Sequence, residues 1–173
     1  GSPYAAPIVI AHRGASALRP EHTLLAYRTA IAHGAEYLEV DLVATRDGVL
    51  VARHENELSK TTDVEHRPEF AHRKTTKIID GVAVTGWFTE DFTLRELRTL
   101  RAEERFPRLR PHSAAYNGLE PVPTFEEVVR LARYYGVGLY PETKHPGYFA
   151  AIGLPLEERM LQVLARYGWR HRH

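Results

Sequence analysis

Glu39-Val40-Asp41 and Glu142-Thr143-Lys144 each set two ionisable side chains two residues apart. On a strand, that spacing puts both side chains on one face. Glu39 and Asp41 would repel there unless a positive group lies between them or one carboxylate takes a proton. With Glu142, three carboxylates about one point make a hard-oxygen site suited to Mg2+ or Ca2+. Arg13 and Lys144 then remain as cations that suit a phosphate oxyanion. Imidazoles trade protons near neutral pH, and His12 and His54 could serve as general base and general acid. Metal, cations and a histidine pair together describe phosphodiester cleavage. Each piece also has a plainer reading: a salt-bridged carboxylate cluster, a hydrogen-bonded turn histidine, a solvated strand end.

The elements that must position these groups are legible as a series. "PIVIAHRG" (7–14) reads as a buried strand ending in His12-Arg13. Leu24, Leu25, Tyr27, Ala30 and Ile31 recur at helical spacing, with Gly34 as the stop. Strand-like runs at 36–42 and 49–54 follow, joined by Arg46-Asp47-Gly48, a strong turn signal. Residues 55–93 are polar and weakly periodic, with turn signals at Asp80-Gly81 and Thr85-Gly86, and read as a functional loop or small insertion. "TLRELRTLRAEER" and "TFEEVVRLARYYG" both open with a capping-box pattern, Thr93 with Glu96 and Thr124 with Glu127. Residues 105–123, rich in proline and arginine, read as loop, so 55–123 forms an insertion and loop region. A strand at 137–143 carries Glu142, and "PLEERMLQVLARYG" is a last amphipathic helix. Alternation of this kind predicts an α/β fold with a largely parallel sheet. In such sheets the C-terminal strand ends converge on one site. Four strand ends carry suitable groups in turn, and that repetition favours the functional reading.

Composition narrows the classes. The 173 residues suffice for one domain, with 43% apolar and 26% charged residues. A formal net charge of +1 gives no argument for nucleic acid. "RLARYYG" and "LARYGWRHRH" fit the polar faces of amphipathic helices. No run approaches the ~20 apolar residues of a membrane span. The absence of cysteine excludes disulfides, thiolate metal sites and a cysteine nucleophile. "GSPYAAP" is neither basic nor apolar enough for a signal peptide.

"AHRGASALRPEHTLLAY", "LEVDLVATRDGVLVARHE", "LSKTTDV" and "LYPETKHP" closely resemble the glycerophosphodiester phosphodiesterase family, over about residues 8–168. "RKTTKIIDG" with "GWFTEDFTL" resembles its long-insertion, often periplasmic or secreted branch. The resemblance implies a (β/α)8 TIM barrel, one divalent cation (Ca2+ or Mg2+), and hydrolysis of a small-molecule glycerophosphodiester to glycerol 3-phosphate and an alcohol. By motif position it implies Glu39, Asp41 and Glu142 as metal ligands, His12 and His54 as the acid/base pair, and Arg13 and Lys144 as phosphate-binding groups. It also implies a route in which a glycerol hydroxyl attacks phosphorus in line and water then opens the cyclic phosphate. "PEHT" carries His22 where many members have Asn.

A complete barrel needs roughly 200 residues or more, and "WRHRH" follows Gly168 where a relative continues into another strand. The expectation is therefore a single partial barrel over 1–173, about the first half, with four barrel strands and open edges that offer a route to self-association. The alternative is a non-catalytic half-barrel that associates with itself or a partner.

Overall fold

The computed structural model describes residues 9–169. Positions 7 and 8 of the first strand, the "GSPYAAP" segment, and the tail from residue 170 lie outside the described residues. Chain order gives β1 (Ile10–His12), α1 (Leu24–Ala32), β2 (Tyr37–Ala44), β3 (Leu50–Ala52), β4 (Thr75–Ile79), β5 (Val82–Gly86), α2 (Leu94–Leu97), α3 (Pro111–Ala114), α4 (Phe125–Tyr135), β6 (Gly138–Thr143), α5 (Pro146–Ala151) and α6 (Leu156–Arg166).

β2 is the centre of the sheet because its alternation works on both counts. Leu38, Val40 and Leu42 are fully buried on one face, while Tyr37 and Glu39 are only half-buried on the other. Each such apolar side chain contributes about 1.5–3 kcal/mol on burial. α4 and α6 pack on β2, and α1 packs on α4. Their ends are fixed as the capping signals predict. Thr23 accepts from the Ala26 amide, Thr124 and Glu127 form a reciprocal capping box, and Gly136 closes α4 in the left-handed conformation.

β1 and β6 flank β2, both parallel to it. β3 is antiparallel to β2, with Ala52 opposite Leu42, so the expected third barrel strand at 49–54 is a hairpin return and the parallel strands number three among the described residues. The turn dictates this. Thr45 Oγ1 donates to Asp47, accepts from the Val49 amide, and Gly48 sits at φ 79°. A link that short joins only antiparallel neighbours; a parallel crossover takes a dozen residues or more. The outer edges of β1 and β6 carry no strand among the described residues.

The 55–93 segment has more structure than its pattern suggests. β4 and β5 form a hairpin whose Asp80-Gly81 turn has positive φ at both residues (50° and 82°), the primed turn that Asp-Gly favours. Thr85-Gly86 is not a turn but the end of β5. A side chain at Gly86 would meet Glu57 Oε2 at 2.4 Å, so glycine is required by close approach. Phe70, Trp87, Phe92, Leu97 and Leu100 join the same apolar cluster as β2. The helix expected over "TLRELRTLRAEER" shortens to α2, one capped turn; beyond it Arg101 donates to the Arg98 and Leu100 carbonyls. The 105–123 loop contains one further turn of helix, α3.

Gly14, after β1, sits at φ 78°, and a Cβ there would meet Ala26 backbone and side chain at 2.8 Å. Gly14→Ala is therefore expected to cost about 2 kcal/mol or more, from strain and overpacking. A urea midpoint equal to wild type would contradict this.

Candidate active site

Strand register assembles the site. His12 lies beside Glu39 across β1–β2, and Asp41 lies beside Glu142 across β2–β6. His12 Nδ1 stands 2.8 Å from Glu39 Oε2. Lys144, just past β6, places Nζ 3.2 Å from Glu142 Oε1 and 3.8 Å from Asp41 Oδ1. His54 reaches the same region because β3 runs back along β2: the Arg53 amide donates to the Asp41 carbonyl. His54 Nδ1 lies 2.7 Å from Glu55 Oε2.

Asp41 is the most enclosed of the seven predicted residues, with its side chain 1% exposed. Its Oδ2 bonds His22 Nε2 at 3.0 Å, and the other His22 nitrogen bonds the Tyr27 hydroxyl. Burial pushes His22 down, toward the neutral imidazole. Burial works against the Asp41 charge, but the His22 hydrogen bond and the nearby Lys144 hold its carboxyl below the usual range. The pair is therefore an ionised Asp41 accepting from a neutral His22, which in turn accepts from Tyr27.

Arg13 leaves β1 at φ 58°, with Nη1 3.6 Å from Glu21 Oε2. Of the four non-glycine residues with positive φ among the described residues, Arg13, His22 and His145 lie at or beside the site, while the fourth, Asp80, is the β4–β5 turn residue, whose carboxylate bonds His145 Nδ1 at 2.6 Å. Backbone strain of this kind costs of order 1 kcal/mol or more per residue and clusters where function holds it.

Glu39, Asp41 and Glu142 share one sheet face, and their oxygens suit a hard cation. As the side chains stand, Glu39 meets His12, Asp41 meets His22, and Lys144 lies between Glu142 and Asp41. Among the described residues no three His, Asp or Glu side chains are gathered about one point. Of the seven predicted residues, two nevertheless carry a buried polar atom without a hydrogen bond, and the two atoms are of opposite kind. Asp41 Oδ1 is an acceptor fit for a cation; Arg13 Nε is a donor fit for an anion. The donor set fits a divalent ion in chemistry and register.

Glu21, Glu55 and Arg105 also line this region, and the sequence pattern singled out none of them. Arg105 Nε donates to Glu21 Oε1 at 2.9 Å, and Nη2 donates to Glu55 Oε2 at 3.0 Å. Burial opposes the charge on Glu55, but Arg105 and Arg53 bring its carboxyl down to about 2. A carboxylate lowered from 4.5 stabilises the fold fully above 4.5 and loses that contribution as pH falls toward 2. The loss is on the order of 3 kcal/mol. Urea midpoints of Glu55→Gln should accordingly fall less between pH 4.5 and 2 than those of the wild type. Parallel curves would contradict the assignment.

Residues 12–172 match the "Glycerophosphoryl diester phosphodiesterase family". A glycerophosphodiester phosphodiesterase of Arabidopsis thaliana, GDPD6, is 40% identical over 171 residues, covering 95% of this chain and 45% of that protein. One from Haemophilus influenzae is 35% identical over 176 residues, covering 94% and 46%. The chain thus spans about half the length of the curated relatives it matches. Among solved structures, a putative glycerophosphoryl diester phosphodiesterase from Silicibacter pomeroyi superposes with a TM-score of 0.70 at 29% identity, covering 96% of this chain and 55% of that one. An Oleispira antarctica phosphodiesterase in complex with the product sn-glycerol-3-phosphate gives 0.67 at 26% identity, covering 95% and 54%.

Proposed function

The chain belongs to the glycerophosphoryl diester phosphodiesterase family, and from that premise we propose that it carries the catalytic portion of an enzyme hydrolysing glycerophosphodiesters to glycerol 3-phosphate and an alcohol. The observation that carries this reading is the state of the two imidazoles. His12 and His54 each meet a carboxylate through Nδ1, Glu39 and Glu55 respectively. A carboxylate on Nδ1 fixes the ring and leaves Nε2 as the working nitrogen. One Nε2 accepts the proton of a glycerol hydroxyl as its oxygen bonds to phosphorus. The other gives a proton to the head-group oxygen as the phosphorus–oxygen bond to it breaks; water then opens the resulting cyclic phosphate to glycerol 3-phosphate, the two imidazoles exchanging roles and returning to their starting protonation. Arg13 and Lys144 face the phosphate oxygens, with the free Nε of Arg13 as a ready donor.

Glu39, Asp41 and Glu142 would hold one divalent cation, Ca2+ or Mg2+, which when bound supplies Lewis-acid polarisation of phosphate oxygens. Glu39 then serves two partners, the ion and His12. Lys144 is placed to shift between Glu142 and the substrate phosphate.

In this reading the chain supplies about the first half of a (β/α)8 barrel, in a periplasmic or secreted member of the long-insertion branch. The support is β1, β2 and β6, parallel and with no strand on their outer edges among the described residues, and the ordered β4–β5 insertion. Those edges, with Ile10 and Tyr140 nearly half exposed beside them, also favour a second reading in which the chain associates through its sheet. No helix among the described residues is long and apolar enough to cross a membrane.

Product identity tests the function. Incubation with glycerophosphocholine should yield glycerol 3-phosphate and free choline. Glycerol and phosphocholine, from cleavage on the other side of phosphorus, would overturn the proposal.

A further inference from the structure

Resting on that reading of the site, we infer that Arg105 is a positioning residue, which holds the His54 imidazole through Glu55 and the Arg13 guanidinium through Glu21. Arg105 is neither on the sheet nor near these residues in sequence: it lies 84 residues from Glu21 and 50 from Glu55. It projects from an irregular stretch of the 105–123 loop, yet the backbone on either side is pinned. The Glu103 amide donates to the Thr61 carbonyl, the Glu104 amide to Asn117 Oδ1, and the Phe106 amide to Glu104 Oε2. These bonds deliver one side chain inward.

The guanidinium spans two carboxylates. Nε and Nη2 face Glu21, at 2.9 and 3.2 Å. Nη2 also donates to Glu55 Oε2, and Nη1 lies 2.7 Å from Glu55 Oε1. Beyond Glu55 stands His54 Nδ1, and beyond Glu21 stands Arg13. The series Arg13–Glu21–Arg105–Glu55–His54 thus alternates in charge and ends on two groups assigned to the chemistry. The three middle side chains are only 7–18% exposed, so this is not a solvated surface pair. A planar fork suits two carboxylates at fixed angles, which an ammonium does not match. Without it Glu21 and Glu55 face each other as like charges, beside the buried Arg53 and His22, and Glu55 is free to rotate off His54. The far ends of the series differ: His54 Nδ1 is 2.7 Å from Glu55, whereas Arg13 Nη1 is 3.6 Å from Glu21, so the main consequence falls on proton transfer at His54 rather than on phosphate binding by Arg13.

Two readouts test this on the 173-residue chain. The first needs no turnover. In 15N-histidine-labelled protein the Nδ1–H proton of His54, assigned by its loss in His54→Ala, should disappear or shift in Arg105→Gln while the circular dichroism spectrum is kept. An unchanged signal in folded Arg105→Gln overturns the inference, whether or not the chain is active. The second is kinetic. Arg105→Gln should lower kcat about 10- to 100-fold with little change in KM. In a Glu55→Gln background the same substitution should add less than about threefold, because the two residues act as one unit. A full additive loss would assign Arg105 a merely structural role. If Arg105→Gln does not fold, Arg105→Lys keeps the charge without the fork and should also disturb the His54 signal; a lysine variant with normal signal and kcat overturns the inference. Wild-type turnover abolished in His54→Ala but intact in Arg105→Gln defeats this inference alone. A glycerophosphodiester-silent wild type defeats the functional reading and leaves the first readout to decide Arg105.

Discussion

His12→Ala should reduce release of glycerol 3-phosphate by about 10²-fold or more, the usual contribution of a positioned acid or base. The side chain is 57% exposed and meets Glu39, so the substitution removes no core packing. Stability should stay within about 0.5 kcal/mol of wild type, as for most surface changes. Loss of turnover with an unchanged melting curve would place His12 in the chemistry. Near wild-type turnover would remove it from the acid/base pair and leave the His12–Glu39 contact as an edge salt bridge.

Asp41→Ala should show the opposite balance, a large loss of stability in addition to activity. The carboxylate is almost wholly buried, with His22 Nε2 on one oxygen and Lys144 near the other. Its removal leaves the His22 N–H without an acceptor in a site where only 3% of that side chain reaches solvent. Leaving that buried donor unsatisfied costs about 1–3 kcal/mol. For a chain of this size that lowers the melting temperature by roughly 5 °C. Asp41→Asn, which keeps an acceptor oxygen, should lose less. If Asp41→Ala melts with the wild type, the Asp41–His22–Tyr27 series is not holding β2 to α1.

These two variants also mark where the sequence was informative. His12, Glu39, Asp41 and Glu142 were legible because period-two spacing and parallel register are local properties: once three strands run side by side, their positions follow. The capping boxes of α2 and α4 and the Asp80-Gly81 turn were legible for the same reason. The direction of β3 departs from the expected barrel strand although its signal is present in the sequence. The short Thr45–Val49 link excludes a parallel crossover, and reading the apolar run alone lost that constraint. His54 still arrives at the site, by the hairpin's return rather than by convergence of parallel strand ends. Glu21, Glu55 and Arg105 were illegible for a different reason. An ion-pair series between residues dozens of positions apart has no period, and one arginine in an arginine-rich loop looks like its neighbours until the fold places it. His22 was visible only as a departure from the family pattern; its burial against Asp41 and Tyr27 gives that departure a structural basis.

The central claim is that acidic groups of β2 and β6 hold a divalent cation beside two imidazoles and cut a phosphodiester. Its most direct test is glycerol 3-phosphate release from glycerophosphocholine by chain stripped with EDTA and then supplied with Ca2+ or Mg2+. The account predicts no release from stripped protein, restoration by one of the two ions, and no restoration in Glu39→Gln. Release that persists undiminished in EDTA, or a folded chain silent at every ion concentration, would contradict it.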